Sequence, residues 1–361
     1  MAVESPPLLF IGSTLKRDVF YGRFNWMKKE NNNLGFWAKL LKSSRDKKLP
    51  IMCLAPMAEV TDAAFRRMFV KYGKPDVLWT EFVSADGLCS AGQKNLLVDF
   101  QYSQAEHPIV AQIFSAQPEN FYTSARLLAK LGFDGIDINM GCPDRKVEKQ
   151  GAGAALIKNV KLAQEIIAAA KAGANNLPVS VKTRIGYNKN EIETWIPALL
   201  AAKPAAIIVH GRTRQEMSKV PASWSSISRA AEIAHDSKIG TLIIGNGDVA
   251  DLADAYQKAK QYKLDGVMVG RGVFGNPWWF NKKINRDDVP LAKQLKVLVE
   301  HTALFEKLFA GYKNFNIMKK HFKAYASGFD GAKELRVKLM RTKTADEVEL
   351  IVKSYIKAIC L

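Results

Sequence analysis

Eight short apolar runs recur from Pro50 onward, and no other feature of the chain narrows its fold as much. They are Ile51–Ala55, Val77–Phe82, Ile109–Phe114, Ile136–Met140, Val179–Thr183, Ala206–Val209, Thr241–Ile244 and Val267–Val269. Between them lie stretches with helical spacing, such as Phe121, Ala125 and Leu128, or Leu252, Tyr256 and Ala259. Alternating strand and helix signals imply a parallel sheet, and eight such units in about 230 residues match a closed (β/α)8 barrel. An open doubly wound sheet rarely needs so many. The expected fold class is therefore α/β, a TIM barrel over residues 48–287. After Asp287-Asp288-Val289-Pro290 the strand signals stop, and residues 288–361 read as a small all-α domain. Residues 1–47 mix prolines, aromatics and the basic residues Lys16, Arg17, Arg23, Lys28 and Lys29, which reads as an irregular extension. Within it, Phe36-Trp37-Ala38-Lys39-Leu40-Leu41 is expected to form a short amphipathic helix that plugs or caps the barrel.

In a barrel of this kind the carboxyl ends of the strands converge on one mouth, where the chemistry sits. The runs end in Pro56 and Met57, Glu81, Gln112, Asn139 with Cys142, Lys182 with Arg184, His210 with Arg212, Asn246, and Arg271. A lone histidine there would usually be structural. So many polar groups at equivalent positions need a ligand large enough to touch them all. The last two strands end in Gly245-Asn246-Gly247-Asp248 and Gly270-Arg271-Gly272. Glycines such as Gly247 and Gly270 let backbone N–H groups approach an anion, and the loops after strands seven and eight are the usual phosphate site of the fold. An amide at Gln112 with cations at Lys182 and His210 suits the polar edge of a flavin, and FMN carries one phosphate.

The fourth run is stopped by Gly141 and Pro143, which deliver Cys142 to the strand end on a sharp turn. A free cysteine is most often a small buried hydrophobe. Glycine and proline flanks suit an exposed turn better, so Cys142 is read as facing a site.

The formal net charge of +18 points to a polyanionic partner, nucleic acid or an anionic surface. Part of it is concentrated late in the chain. Phe315, Met318, Phe322 and Tyr325 form one apolar face while Lys313, Lys319, Lys320 and Lys323 lie elsewhere, and Lys333, Arg336, Lys338, Arg341 and Lys343 come after them. A basic helical module beside the mouth would bind nucleic-acid phosphates. The four cysteines, Cys53, Cys89, Cys142 and Cys360, have neither disulfide-framework nor zinc spacing, which points to a reducing, cytoplasmic setting. The five histidines are dispersed, so no metal site is expected. No apolar run approaches membrane-spanning length, and no signal peptide is read.

Several of these segments together resemble the tRNA-dihydrouridine synthases. They are Leu54-Ala55-Pro56-Met57 with Val60-Thr61-Asp62-Ala63-Ala64-Phe65-Arg66, Asn139-Met140-Gly141-Cys142-Pro143, Val181-Lys182-Thr183-Arg184-Ile185-Gly186, His210-Gly211-Arg212-Thr213-Arg214, Gly245-Asn246-Gly247-Asp248, and Gly270-Arg271-Gly272-Val273-Phe274-Gly275-Asn276-Pro277-Trp278. The resemblance spans about residues 50 to 340, with the motifs in the family's order. It implies an enzyme in which NADPH reduces FMN, the flavin N5 passes hydride to C6 of a uridine in tRNA, and Cys142 protonates C5. It also implies that Asn139 binds uracil, that Lys182 and Arg184 lie between flavin and base, and that Arg212 contacts uracil or RNA phosphate. The target base would be flipped out of folded RNA onto the flavin. The C-terminal lysines Lys319, Lys320 and Lys323 would hold tRNA, with the enzyme acting as a monomer. Glu59 and Ser223 depart from the family pattern at the first loop and before Trp224, where a small residue and an aspartate are usual. Two other readings explain part of the pattern: an FMN barrel oxidoreductase acting on a small molecule, and an RNA-binding protein without catalysis.

Overall fold

The computed structural model describes residues 33–359. Most of the expected extension, including its basic residues up to Lys29, lies outside the described residues. Eight strands form one parallel sheet: β1 (Ile51–Leu54), β2 (Leu78–Ser84), β3 (Ile109–Phe114), β4 (Gly135–Met140), β5 (Val179–Arg184), β6 (Ala206–His210), β7 (Leu242–Asn246) and β8 (Gly266–Val269). Neighbours run in the order β1-β8-β7-β6-β5-β4-β3-β2, and a parallel bridge between Cys53 and Val77 closes the ring. Every residue of β1, β4, β7 and β8 is buried, as expected for strands covered on both faces. The apolar runs located all eight. Four strands extend past them, and in β5, β6 and β7 ladder pairing of Arg184 with His210 and of His210 with Asn246 carries the sheet through polar residues. Those side chains are thus held by strands rather than by loops.

The helix α1 (Phe36–Lys47) forms where the short amphipathic pattern predicted it. Trp37 is 1% exposed, with its ring 6.0 Å from that of Trp79. It shares a cluster with Ile51, Val77, Ala205 and Leu242, which stand at or just before the strands' amino ends, so α1 closes the barrel opposite the mouth.

Helix α2 (Ala63–Tyr72) has two apolar faces. Phe65 and Phe69 pack into the barrel core, while Ala63, Ala64 and Met68 belong to a second core. The rest of that second core comes mainly from the helices Leu291–Phe309, Met318–Tyr325, Ala332–Leu339 and Ala345–Ile359. The helical module is therefore packed against the barrel through a shared core. Ion pairs reinforce the junction. Lys313, read from the sequence among the surface lysines, is nearly buried and pairs with Glu81 in the middle of β2 and, at 2.7 Å, with Asp99. Glu59 receives a role as well: it pairs with Lys320 at 3.0 Å, and its backbone N–H donates to Glu81.

At the same junction His301 and His321 sit edge to face with ring centroids 4.8 Å apart, both fully buried. None of their ring nitrogens has a hydrogen-bond partner among the described residues. Burial pushes His301 down to about 3 and His321 well below its ordinary value. An unfolded histidine takes up a proton near pH 6.5, whereas these refuse it, so their contribution to stability is lost as pH falls below about 6.5. The expected slope is about 1.4 kcal/mol per pH unit for each histidine. Buried Asp62 and Asp137, raised to about 7 and about 6, act in the opposite direction. The double variant H301F/H321F isolates the histidines: between pH 6.5 and 5 it should lose less stability in urea titrations than the parent. Parallel pH profiles would refute this assignment.

Candidate active site

The loops after β7 and β8 and the carboxyl ends of β1, β5 and β6 enclose a cavity of about 570 Å3. Pro56, Met57, Lys182, His210, Asn246, Gly247, Gly270 and Arg271 all line it, together with Arg184 and Arg212. Ten of the residues singled out from sequence thus meet at one mouth.

The β7 and β8 loops are shaped for an anion. Gly247 has φ +127°, and a Cβ there would lie 2.7 Å from the Cβ of Ala222, so only glycine fits without strain. The backbone N–H groups of Gly247, Asp248, Gly270 and Arg271 make no hydrogen bond within the described residues. Free N–H donors on two adjacent glycine loops, beside the largely exposed guanidinium of Arg271, suit a phosphate.

Deeper in the mouth, Lys182 donates to Asn246 Oδ1 at 3.1 Å, and Asn246 Nδ2 donates to the Met268 carbonyl at 2.9 Å. Burial, followed by the Arg184 charge, pushes Lys182 down to about 8, so it remains largely protonated at neutral pH. His210 is held well below its ordinary value by burial and by the cations Lys182, Arg184, Arg212 and Arg271. It is therefore neutral. Its Nε2 lies 3.1 Å from Arg212 Nη1, a group that can only donate, which assigns the proton to Nδ1. The guanidinium of Arg212, 3% exposed, is also engaged by the Val220 carbonyl at 2.5 Å and by Asp248. These contacts fix its orientation beside His210 and the β7 loop while it still lines the cavity.

Arg184 ties the cysteine turn to the mouth. Its Nε donates to the Gly141 carbonyl at 2.7 Å, and its Nη1 donates to the carbonyls of Thr213 and Met217 at 3.1 Å each. Cys142 is half-buried, and its neighbour Pro143 lines the cavity. The Cys142 carbonyl accepts from the Ala154 N–H at 2.9 Å, and a Cβ on Gly153 would lie 2.7 Å from that oxygen. Gly153 also has φ +62°, so this position in the small-residue run after the turn calls for glycine. Burial, with the Asp144 charge, pushes the thiol up, so Cys142 is protonated at neutral pH and placed to give a proton rather than to attack.

Gln112 and Asn139 stand apart from the cavity lining. Gln112 is fully buried, with its amide spent on Asp137 and Asn139, one layer below the mouth where the sequence reading put it. Asn139 is 6% exposed and holds the Cys142 turn through its side-chain oxygen. Lys319 and Lys323 lie on the helix Met318–Tyr325, half-buried and exposed respectively, while Lys320 is paired to Glu59. Sequence reasoning passed over Asp137 and Asp248. Asp137 could have been found from strand alternation, since it shares a face with Asn139 two residues on.

Among the described residues, no cluster of three or more His, Cys, Asp or Glu could hold a metal ion, and no helix is long and apolar enough to cross a membrane.

The barrel is shared with known structures at low sequence identity. A 2-naphthoyl-CoA reductase complex matches with a TM-score of 0.50 and 11% identity, over 64% of this chain and 49% of that one. Histamine dehydrogenase from Rhizobium sp. 4-9 matches with a TM-score of 0.50 and 12% identity, over 70% and 49%. These likenesses speak to fold alone. Closer relatives carry more. A probable tRNA-dihydrouridine synthase of Staphylococcus aureus (strain Mu50 / ATCC 700699) is 38% identical over 327 residues, 89% of this chain and 95% of the relative. Probable tRNA-dihydrouridine synthase 2 of Bacillus subtilis (strain 168) is likewise 38% identical, over 89% and 96%. The family model described as dihydrouridine synthase matches residues 53–359, and with it the barrel, the cysteine turn and the helical module: the chain belongs to the dihydrouridine synthase family, a family of oxidoreductases.

Proposed function

We propose that the protein is an FMN-dependent tRNA-dihydrouridine synthase, which reduces the C5=C6 bond of uridine in tRNA with NADPH as the reductant. The observation that carries this reading is a protonated thiol on a rigid turn beside a cavity that ends in a phosphate-shaped pair of glycine loops. FMN fits that cavity, and when bound it supplies the hydride for C6. Gly247, Gly270 and Arg271 would hold its phosphate, with Pro56, Met57, Asn246, Lys182 and His210 around the ring. Lys182, as the cation, stabilises negative charge at the ring edge, while neutral His210 offers its Nδ1–H. Gln112 supports the site from below. Hydride arrival at C6 leaves negative charge over C5 and O4 of the uracil. Cys142 gives its proton to C5, and Asn139 donates to the base. Arg184 holds the cysteine turn at the boundary between cofactor and substrate. Residues 48–287 would carry catalysis and residues 288–361 would grip tRNA, in a cytoplasmic monomer.

The purified protein should be yellow, oxidise NADPH, and form dihydrouridine in unmodified tRNA, assayed at nucleotide resolution. NADPH oxidation without modified tRNA would favour a small-molecule oxidoreductase instead. For the helical module, K319E/K323E should lower tRNA affinity about tenfold and flatten its salt dependence, because each lysine neutralises a phosphate. The visible spectrum should not change. Lys320 is left in place because its reversal would set it against Glu59. Unaltered affinity would move the RNA surface elsewhere.

A further inference from the structure

Beneath the mouth, Gln112, Asp137 and Ser180 are register partners across β3, β4 and β5, and none is more than 1% exposed. Both oxygens of Asp137 are used. Oδ2 accepts from Gln112 Nε2 at 2.5 Å and Oδ1 accepts from Ser180 Oγ at 2.5 Å. With its nitrogen on the carboxylate, Gln112 turns Oε1 to Asn139 Nδ2 at 3.1 Å. Asn139 then presents its own oxygen to the turn, where it accepts from Gly141 N at 3.1 Å and Cys142 N at 2.9 Å.

An amide can sit either way round, but an ionised carboxylate only accepts and a backbone N–H only donates. Fixed at both ends by such groups, the two amides have a single consistent polarity. Both acceptor positions of Asn139 are filled, so the only group it can still offer a ligand is an N–H.

We propose that Asp137 is a positioning residue: acting through Gln112, it holds Asn139 so that its oxygen anchors the Cys142 turn and its remaining N–H is the group offered to the base. This rests on the function proposed above and deepens it. A donor at Asn139 complements a carbonyl oxygen, as uracil presents, and meets an exocyclic amino group donor to donor. A mismatched buried polar pair discriminates far more strongly than a lost apolar contact.

The test compares D137N, S180A and D137N/S180A in the full-length protein. In D137N the new amide can keep its oxygen toward Gln112 and turn its nitrogen to Ser180 Oγ, whose proton then goes to the Ile136 carbonyl, now 3.4 Å away. The relay keeps its polarity, and kcat should stay within about threefold, as it should in S180A. In the double variant the nitrogen has no such acceptor and competes with Gln112, so kcat should fall by about thirtyfold or more. Iodoacetamide alkylation of Cys142, followed against pH without tRNA, should be about fivefold faster in the double variant than in either single one as the turn loosens. Gln112→Met breaks the relay at a second point and should accelerate alkylation similarly, which keeps the test decisive if the double variant fails to fold. Equal losses in D137N and the double variant would mean that Asp137 acts by charge alone, and would overturn the proposal. So would alkylation profiles unchanged in both the double variant and Gln112→Met. If the parent forms no dihydrouridine, the reading of function fails, and the alkylation comparison still decides the relay.

Discussion

Cys142→Ala is expected to lower turnover by about 10²- to 10⁴-fold, the usual contribution of a positioned proton donor. Flavin binding and tRNA affinity should stay close to those of the parent. The thiol is protonated at neutral pH because burial and Asp144 raise it, and nothing else on its turn can replace the proton it gives. Its carbonyl and N–H are held by Ala154 and Asn139 through backbone atoms that alanine retains, so the turn itself should survive. Single-turnover reduction of tRNA by the pre-reduced protein would isolate the step. A variant that reduces tRNA at the parental rate would remove Cys142 from the mechanism, and a colourless variant would give it a structural role instead.

The largest loss of stability is expected from Arg66→Met, about 3–5 kcal/mol in chemical denaturation. Arg66 and Glu106 are both fully buried and paired at 2.6 Å. The same guanidinium donates to the Thr61 carbonyl at 2.7 Å and the Gln101 carbonyl at 2.5 Å. Removing it strands two carbonyls and leaves the buried carboxylate with only the Ser103 N–H and hydroxyl on its other oxygen, and Arg67, 3.5 Å from Glu106 and partly exposed, is a weak replacement for the lost charge. The effect should reach the site. Thr61 accepts from the Met57 N–H at 2.9 Å, so the first mouth loop loosens with it. Replacing both partners, as R66M/E106L, should recover part of the loss, because an apolar pair strands no charge. A loss below about 1 kcal/mol in the single variant would show that water or Arg67 satisfies Glu106 without Arg66.

The barrel was legible because strands buried on both faces must be written as apolar runs, and eight of them leave few alternatives. The phosphate loops were legible as well, since close approach of backbone to an anion requires glycine, and Gly247 adopts a φ that disfavours side chains. The turn at Gly141-Cys142-Pro143 announced its thiol for the same local reason. Other features depended on partners distant in sequence. Lys313 looks like one more surface lysine, yet it is nearly buried against Glu81 and Asp99, more than two hundred residues earlier. Arg212 reads as a cation for a ligand, and only the fold shows that it also holds His210, Val220 and Asp248 while lining the cavity.

Gln112 shows the division most clearly. Its place on a strand came from the pattern of β3, but whether its amide faces a ligand or a neighbouring strand depends on register, which aligns it with Asp137. By itself the sequence determined what local rules can write: the order of strands and helices, the glycine loops, and the cysteine on its turn. Tertiary structure alone decided which charges are spent inside the protein and which remain for a ligand. Burial and pairing set the strength of a charge, and both are properties of segments brought together only by folding.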